Sequence, residues 1–242
     1  MPMGFSNVYE DAKRADAYSR LEFPGTYYLA FRDLPVIISE HVTGKSALDF
    51  GCGSGRSTRF LQKLGFRVVG IDISEEMVKR ARMKDSKGDY RVIREGDFSQ
   101  LKSDSLDLIL SAFAFDNIPT MEKKVMNLRG LRNLLRSDGR LINLVSSPEV
   151  YTHEWASFST KDFTDNMDAG SGDIVRIVQK DIGDNRPVED VLWTDGSYRE
   201  TYRRARVQIV NVYRPLARKD EPFSWVNETE IPPWVIYVLK RI

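Results

Sequence analysis

Three glycines alternate with other residues in the stretch LDFGCGSGRS, residues 48–57, directly after an apolar run. Glycine loses more conformational freedom on folding than other residues, so Gly51, Gly53 and Gly55 indicate a backbone that a ligand approaches closely. Arg56 stands where the dinucleotide fingerprint G-x-G-x-x-G needs its third glycine, and no lysine follows Gly55 as a phosphate-binding loop requires. The spacing therefore predicts a ligand without a pyrophosphate or a triphosphate.

Two acidic residues further along the chain suit recognition of a nucleoside. Asp72 ends an apolar stretch 21 residues after Gly51, the distance at which an acidic residue meets ribose hydroxyls in nucleotide-binding βαβ units. Asp97, in the sequence EGDFS, follows the next apolar stretch and can accept a hydrogen bond from an adenine amino group. Each has a structural alternative, since Asp72 can cap a helix near Ser74 and Asp97 can cap the turn after it.

The elements that must position these residues alternate between strands and helices, which is typical of a parallel sheet with right-handed crossovers. The alternation stops after residue 146, and two further strands without an intervening helix come before a last helix and an antiparallel strand pair. The predicted strands are 46–50, 66–72, 90–97, 106–112, 140–146, 173–181, 187–194, 206–215 and 234–241, and the predicted helices are 8–20, 26–41, 56–64, 74–84, 197–206 and one that opens at Pro119.

This pattern predicts one α/β domain over residues 1–242, Rossmann-like, with a seven-stranded sheet and helices on both faces. Residues 1–42 form a helical lid in this interpretation. Residues 147–194 form a β-rich insertion after the fifth strand, at the edge where open α/β sheets bind ligands.

The motifs, in their order and spacing, resemble those of the class I S-adenosylmethionine-dependent methyltransferases. The matching stretches are LDFGCGSG, GIDIS, EGDFS and DLILSAFAFDNI, followed by the long helix and LLRSDGRLINLV. The resemblance covers roughly residues 45–146 and the closing strand pair, and it is specific as a set rather than motif by motif.

The resemblance implies S-adenosylmethionine as the cofactor and assigns residues to its parts. The methionine portion would meet Asp49, Gly51, Cys52, Gly53, Gly55, Ser111 and Phe113, with Tyr18 contributed by the lid. The nucleoside would meet Asp72 at the ribose and Ile73, Met77, Asp97 and Phe98 at the adenine.

The acceptor side is less determined by the sequence. The insertion carries Tyr151, Trp155, Phe158 and Trp193, which predict a mostly apolar substrate pocket. His153 is the best candidate for a proton acceptor, because an ordinary histidine pKa of about 6.5 suits work near neutrality; a structural role is the alternative. The predicted function is methyl transfer to an N, O or C atom of a small molecule. The alternatives are a non-catalytic S-adenosylmethionine-binding protein and a nicotinamide-dependent oxidoreductase, which Arg56 disfavours.

Composition limits the partners and the location. A net charge of +1 over 242 residues argues against a dedicated nucleic-acid binder. The single cysteine allows no internal disulfide and suits a reducing compartment, and neither a signal sequence nor a membrane-spanning stretch is evident. We therefore expect a cytoplasmic protein, monomeric or homodimeric, that binds no metal, membrane or nucleic acid.

Overall fold

The structure is a computed structural model that describes residues 23–182 and 186–242. The helix predicted over 8–20, and Tyr18 within it, lie outside the described residues. No described helix is long and apolar enough to cross a membrane.

A seven-stranded sheet forms the centre of the structure, with strand order β3-β2-β1-β4-β5-β10-β9. The first five strands are parallel, and β10 runs antiparallel between β5 and β9. The strands are β1 (Ser46–Phe50), β2 (Arg67–Asp72), β3 (Asp89–Val92), β4 (Leu106–Ala112), β5 (Leu135–Ser146), β9 (Val207–Tyr213) and β10 (Trp234–Arg241).

Six α-helices among the described residues pack around this sheet. They are α1 (Thr26–Arg32), α2 (Leu34–His41), α3 (Arg56–Lys63), α4 (Glu75–Lys84), α5 (Met121–Leu134) and α6 (Asp195–Ala205). The helix predicted over 26–41 is divided into α1 and α2 at Asp33, because Pro35 is accommodated in the first turn of a helix rather than in its interior.

Alternation along the strands divides the core into two layers. Ala47 and Leu108 pack on the side of α1, α2 and α3, whereas Leu48 and Ile109 pack on the side of α5 and α6. Successive strand residues point to opposite faces, so strands that are apolar throughout can bury both faces. The predicted α/β architecture, with helices on both faces of a seven-stranded sheet, is confirmed.

The insertion between β5 and α6 contains a second, three-stranded sheet with order β6-β7-β8. Its strands are β6 (Phe158–Ser159), β7 (Ile174–Gln179) and β8 (Val188–Val191), all antiparallel. The sequence predicts β7 and β8 but not β6, because a strand of two residues is too short to show the alternation of apolar and polar residues that marks a strand.

Two strand boundaries differ from the prediction. The third strand ends at Val92 rather than at 97, because the chain turns at Gly96, where φ is +76° and Asp97 N–H donates to Arg94 C=O. The fifth strand begins at Leu135 rather than at 140, since a register shift between Leu106 and Leu108 absorbs the extra residues.

The sheet order places the candidate site. Strands are added on one side of β1 through β2 and β3, and on its other side through β4 and β5. At such a reversal the loops leaving the two central strands diverge, and a crevice opens at the carboxyl ends of the strands. The glycine loop after β1 and the segment after β4 border this crevice.

Candidate active site

The glycine loop is a tight connection from β1 to α3. The amides of Gly51 and Cys52 both donate to Ile71 C=O at 2.9 Å, which ties the loop to the end of β2. Gly51 has φ of +70°, and a Cβ on it would lie 2.4 Å from the Ala114 methyl. A Cβ on Gly55, with φ of +80°, would instead lie 2.7 Å from the Tyr90 hydroxyl. Protein packing as well as ligand approach therefore requires these glycines.

Asp49 lies beneath the loop with no exposed surface. Its Oδ2 accepts hydrogen bonds from Ser57 Oγ at 2.7 Å and Thr58 Oγ1 at 2.6 Å, at the start of α3. Burial raises the pKa of the Asp49 carboxyl to about 6. Its Oδ1 is buried and has no hydrogen-bond partner among the described residues, so an acceptor is available at the base of the loop.

Cys52 is part of the loop's packing rather than a nucleophile. Its side chain is 4% exposed, and burial raises the pKa of the thiol well above its usual range. A thiolate is therefore disfavoured here. The cysteine acts as a small side chain beside Gly70, as a tight loop requires.

Asp72 both caps α4 and holds the loop. Its Oδ1 accepts from Ser74 N–H and its Oδ2 accepts from Gly53 N–H, each at 2.8 Å. Burial raises the pKa of this carboxyl, and the two amides oppose that rise. Asp72 also lines the cleft, so the cap suggested as its alternative coexists with a position suited to ribose hydroxyls.

The cleft has a volume of about 940 Å³ measured to its open mouth. Its walls combine apolar side chains that can cover a flat ring with carboxylates that can accept hydrogen bonds. The lining residues are Phe50, Gly51, Gly53, Ile71, Asp72, Ile73, Ser74, Met77, Ile93, Glu95, Ala112, Phe113, Ala114, Asn117, Ile118 and Asn127.

Most of the residues assigned to the cofactor are in or next to this cleft. Gly51, Gly53, Asp72, Ile73, Met77 and Phe113 line it. Ser111 lies just behind Ala112 in β4, and its buried hydroxyl has no hydrogen-bond partner among the described residues.

Asp97 and Phe98 do not line the cleft, so the geometry does not support their assignment to the adenine, which stays a prediction. Asp97 is exposed, and its Oδ1 accepts from Ser99 N–H at 3.0 Å, which is the turn cap considered as the alternative. Phe98 packs on Phe50 and against Gly130. Glu95 lines the cleft instead, because β3 ends at Val92 and the turn at Gly96 comes earlier than the sequence indicates.

A second chamber, of about 450 Å³ measured in the same way, adjoins the cleft. Phe113 and Asn117 line both spaces, so they mark the junction. The remaining lining residues come from α1, β5, β10 and the insertion; they are Tyr27, Asp116, Ser146, Val150, Phe158, Ile177, Gln179, Val188, Asp190 and Trp234.

The proposed acceptor residues are placed differently from the prediction. Phe158 lines the chamber, whereas Tyr151 does not; its buried hydroxyl donates at 3.2 Å to Asp190, which does line it. Trp155 is fully buried, with its indole N–H donating to Val150 C=O. Trp193 packs in the other core layer, where its ring lies 4.7 Å from Lys124 Nζ.

His153 lines neither the cleft nor the chamber, so the geometry does not support its assignment as the proton acceptor, which stays a prediction. Its Nδ1 lies 3.0 Å from Thr152 Oγ1 and 3.3 Å from Glu149 C=O, at the turn that starts the insertion. The helical turn at Pro148–Tyr151 brings Val150 to the chamber and turns the following residues away from it. Nothing in the sequence around a single histidine distinguishes a catalytic role from a structural one.

Asp116 and Asn117 are the functional candidates that sequence reasoning missed. They lie in the short helical turn Ala114–Asn117 after β4, within the quoted stretch DLILSAFAFDNI. Phe113, which precedes the turn, has φ of +65° without being glycine. Such strain often marks a functional position, but only the structure reveals it.

Comparisons with known proteins agree with the fold and the loop. Residues 48–143 match a family described as a methyltransferase domain. The cypemycin N-terminal methyltransferase of a Streptomyces species is 31% identical over 143 residues, which cover 57% of this chain and 56% of that protein. The N-demethylindolmycin N-methyltransferase of Streptomyces griseus is 27% identical over 155 residues, covering 63% and 65%. This chain spans little more than half the length of several curated relatives that it matches.

A solved S-adenosylmethionine-dependent methyltransferase from Clostridium acetobutylicum superimposes with a TM-score of 0.62, covering 97% of this chain and 96% of that one at 14% identity. At that identity the likeness establishes the fold. The matched methyltransferase domain over residues 48–143, the glycine loop and Asp72 support the resemblance to the class I S-adenosylmethionine-dependent methyltransferases.

The residues present fit S-adenosylmethionine, the cofactor that the resemblance implies. The cleft is bordered by buried acceptors without partners among the described residues, Asp49 Oδ1, Ser111 Oγ and Asn117 Oδ1. The cofactor carries an ammonium group, ribose hydroxyls and an adenine amine that can donate to such acceptors. Ile73 and Met77 offer apolar surface for the adenine ring.

Proposed function

We propose that this protein transfers the methyl group of S-adenosylmethionine to an N, O or C atom of a small-molecule acceptor. The observation that carries the proposal is the junction of two spaces at Phe113 and Asn117. One space has the glycine loop and Asp72 at its wall, and the other has aromatic walls and lies under the insertion. A donor and an acceptor bound in the two spaces would meet at that junction.

The chain's own residues perform binding and alignment in this proposal. The glycine loop, Asp72 and Glu95 hold the cofactor, and Phe113 and Asn117 border the reacting atoms. The bound cofactor supplies a methyl group that its sulfonium already activates. Alignment of two reactants can contribute an effective molarity of roughly 10⁵–10⁸ M, so the protein needs few residues that react themselves.

The insertion of residues 147–194 acts as the cap of the acceptor chamber, and residues 1–42 act as the lid. Val150, Phe158 and Ile177 from the insertion and Tyr27 from α1 line the chamber, which supports both roles. We further propose that the protein works in the cytoplasm as a monomer or homodimer and acts on no nucleic acid; its single cysteine and its balanced charge support this.

Calorimetry with S-adenosylhomocysteine and with NADH tests the cofactor. We expect binding of the first and none of the second, and the reverse result would favour the oxidoreductase alternative. An acceptor screen with mass detection then looks for products heavier by one methyl group. Binding without turnover on any acceptor would favour the non-catalytic alternative.

A further inference from the structure

Two neighbouring residues at the junction, Asp116 and Asn117, offer hydrogen-bond acceptors. Asn117 donates its side-chain N–H to Phe113 C=O at 3.3 Å, and its Oδ1 is buried without a partner among the described residues. Asp116 is 4% exposed and lines the chamber. Neighbouring Ser146 uses both its amide and its hydroxyl to donate to Asp116 Oδ2, at 3.0 and 2.9 Å.

Asp116 is buried, and the donors around it support its charged form. Burial raises the pKa of its carboxyl to about 6, and the amide of Ser146 and the charge of Lys124 oppose that rise. Tyr198 O–H donates to its Oδ1 at 3.1 Å. A carboxylate has about four lone-pair positions, and these three donors leave capacity for one more.

Lys124 stabilises this carboxylate without lining the chamber. Its ammonium donates to Phe115 C=O and lies 4.7 Å from the centre of the Trp193 ring and 5.5 Å from that of Tyr198. Among the described residues that line the chamber, none is lysine, arginine or histidine. The described lining of the chamber therefore contributes carboxylates and no cationic side chain, and Lys124 lies behind Asp116.

Four aromatic rings also line the chamber. Phe113 and Trp234 have ring centres 4.8 Å apart, and Tyr27 lies 5.1 Å from Phe158 and 5.7 Å from each of the other two. The face of an aromatic ring carries negative charge density and attracts cations, most strongly when water is excluded. The rings and the carboxylate thus favour the same kind of ligand.

We propose that the methyl acceptor is a small apolar molecule that carries an amino group. Its N–H groups donate to Asn117 Oδ1 and to the Asp116 carboxylate, which takes up the ammonium proton and so frees the nitrogen lone pair. That lone pair would form the N–CH3 bond as the S–CH3 bond of the bound donor breaks and its electron pair stays on sulfur. The carbon frame of the acceptor lies among Phe113, Phe158 and Trp234. This inference rests on the proposed function, because it identifies the acceptor of that reaction. A molecule with a carboxylate in place of the amine would meet Asp116 with like charge and would be rejected.

Binding of matched probes tests the proposal without turnover. The probes are benzylamine, 2-phenylethylamine and tryptamine, each paired with the alcohol of the same carbon frame, and affinities are measured by ligand-observed NMR with saturating S-adenosylhomocysteine. We expect at least one amine to bind tenfold or more tightly than its alcohol. If no amine is preferred over its alcohol, the proposal is wrong.

Variants separate the carboxylate from general apolar binding. Asp116→Asn keeps the shape and removes the charge, and we expect the preference for the amine to fall below threefold. Asp138→Asn, an exposed position on β5, is the matched control and should keep the full preference. A full preference retained in Asp116→Asn would overturn the role of this residue.

Calorimetry with S-adenosylhomocysteine on the same samples separates the two proposals. Absence of binding by the wild-type protein would overturn the proposed function itself. Binding of the cofactor product together with equal amine and alcohol affinities would overturn only the amine proposal. If Asp116→Asn fails to fold, the wild-type comparison still decides, and Asn117→Ala tests the second acceptor.

Discussion

Asp72 combines two tasks that the sequence presents as alternatives. One carboxylate oxygen caps α4 at Ser74, and the other fixes Gly53 of the glycine loop, so the same side chain positions the loop and borders the cleft. Asp49 supports the loop from below through Ser57 and Thr58. Both carboxylates are buried, and burial raises the pKa of each.

Replacing Asp72 should weaken cofactor binding. Hydrogen bonds to a charged group contribute about 1.5–3 kcal/mol each, so we expect Asp72→Asn to bind S-adenosylhomocysteine about tenfold or more weakly in calorimetry. Asp72→Ala should be worse, because it also leaves the Gly53 and Ser74 amides without their acceptor. Asp97→Asn is the matched control. It should bind S-adenosylhomocysteine within about twofold of wild type, because substitutions at exposed positions usually change free energies little. A large loss in Asp97→Asn would restore that residue to the site.

Asp49 should make the protein less stable as the pH rises. The pKa of its carboxyl is about 6 when folded and 3.8 ordinarily, so the folded protein holds the proton more tightly. The tighter binding of this proton stabilises the folded protein fully below pH 3.8, and the stabilisation is lost as the pH rises through about 6. Between pH 5 and 7.5 the free energy of unfolding should therefore fall by about 1 kcal/mol more in wild type than in Asp49→Asn. Urea unfolding at the two pH values measures this, and an equal fall in both proteins would contradict it.

The conformation of the glycine loop between β1 and α3 depends on how closely neighbouring residues pack against it. Gly51 faces Ala114, so the glycine loop and the turn after β4 fit together with no room for a side chain. This contact couples the cofactor cleft to the segment that carries Asp116 and Asn117. A substitution in the glycine loop should therefore change the structure of the turn after β4, and the reverse should also hold.

Gly51→Ala should lower the free energy of unfolding by more than backbone strain alone would. A positive φ costs a residue with a Cβ about 1–2 kcal/mol, and overpacking adds about 1–3 kcal/mol. Gly65→Ala is the matched control, because Gly65 has φ of +83° and open space around it. We expect Gly51→Ala to lose about 2–5 kcal/mol of unfolding free energy, against about 1–2 for Gly65→Ala. The added substitution Ala114→Gly should recover the difference; equal losses in the two single variants would show that the contact is unimportant.

At the scale of the whole molecule, a buried glutamate joins three distant segments around the chamber. Glu228 Oε1 accepts from Thr26 Oγ1 at 2.6 Å and from Ala156 N–H at 2.7 Å, and Oε2 accepts from Val226 N–H at 2.8 Å. Thr26 and Ser157 also exchange hydrogen bonds between backbone and hydroxyl groups. The start of α1, the insertion and the segment before β10 are thereby held together.

Glu228→Gln should loosen the chamber and spare the cofactor cleft. The NH2 group that replaces one carboxylate oxygen cannot accept, so at least one buried donor loses its partner, at a cost of about 1–3 kcal/mol. We expect a lower melting temperature and weaker binding of amine probes, with affinity for S-adenosylhomocysteine nearly unchanged. Glu230→Gln, exposed and two residues away, should match wild type in all three measurements. Parallel loss of cofactor and probe binding in Glu228→Gln would indicate a general effect on the fold.

The sequence by itself determined the alternation of strands and helices, the glycine loop and Asp72, because these depend on periodicity and on spacing within one βαβ unit. It did not determine that Glu95 rather than Asp97 borders the cleft, since one early turn at Gly96 decides which side chain points inward. The chamber was decided by tertiary structure alone. Its walls come from Tyr27, Asp116, Phe158 and Trp234, on segments up to 207 residues apart, and no local pattern records which of them meet. His153 and Trp155 have suitable chemistry, but the turn that opens the insertion directs them away from the site.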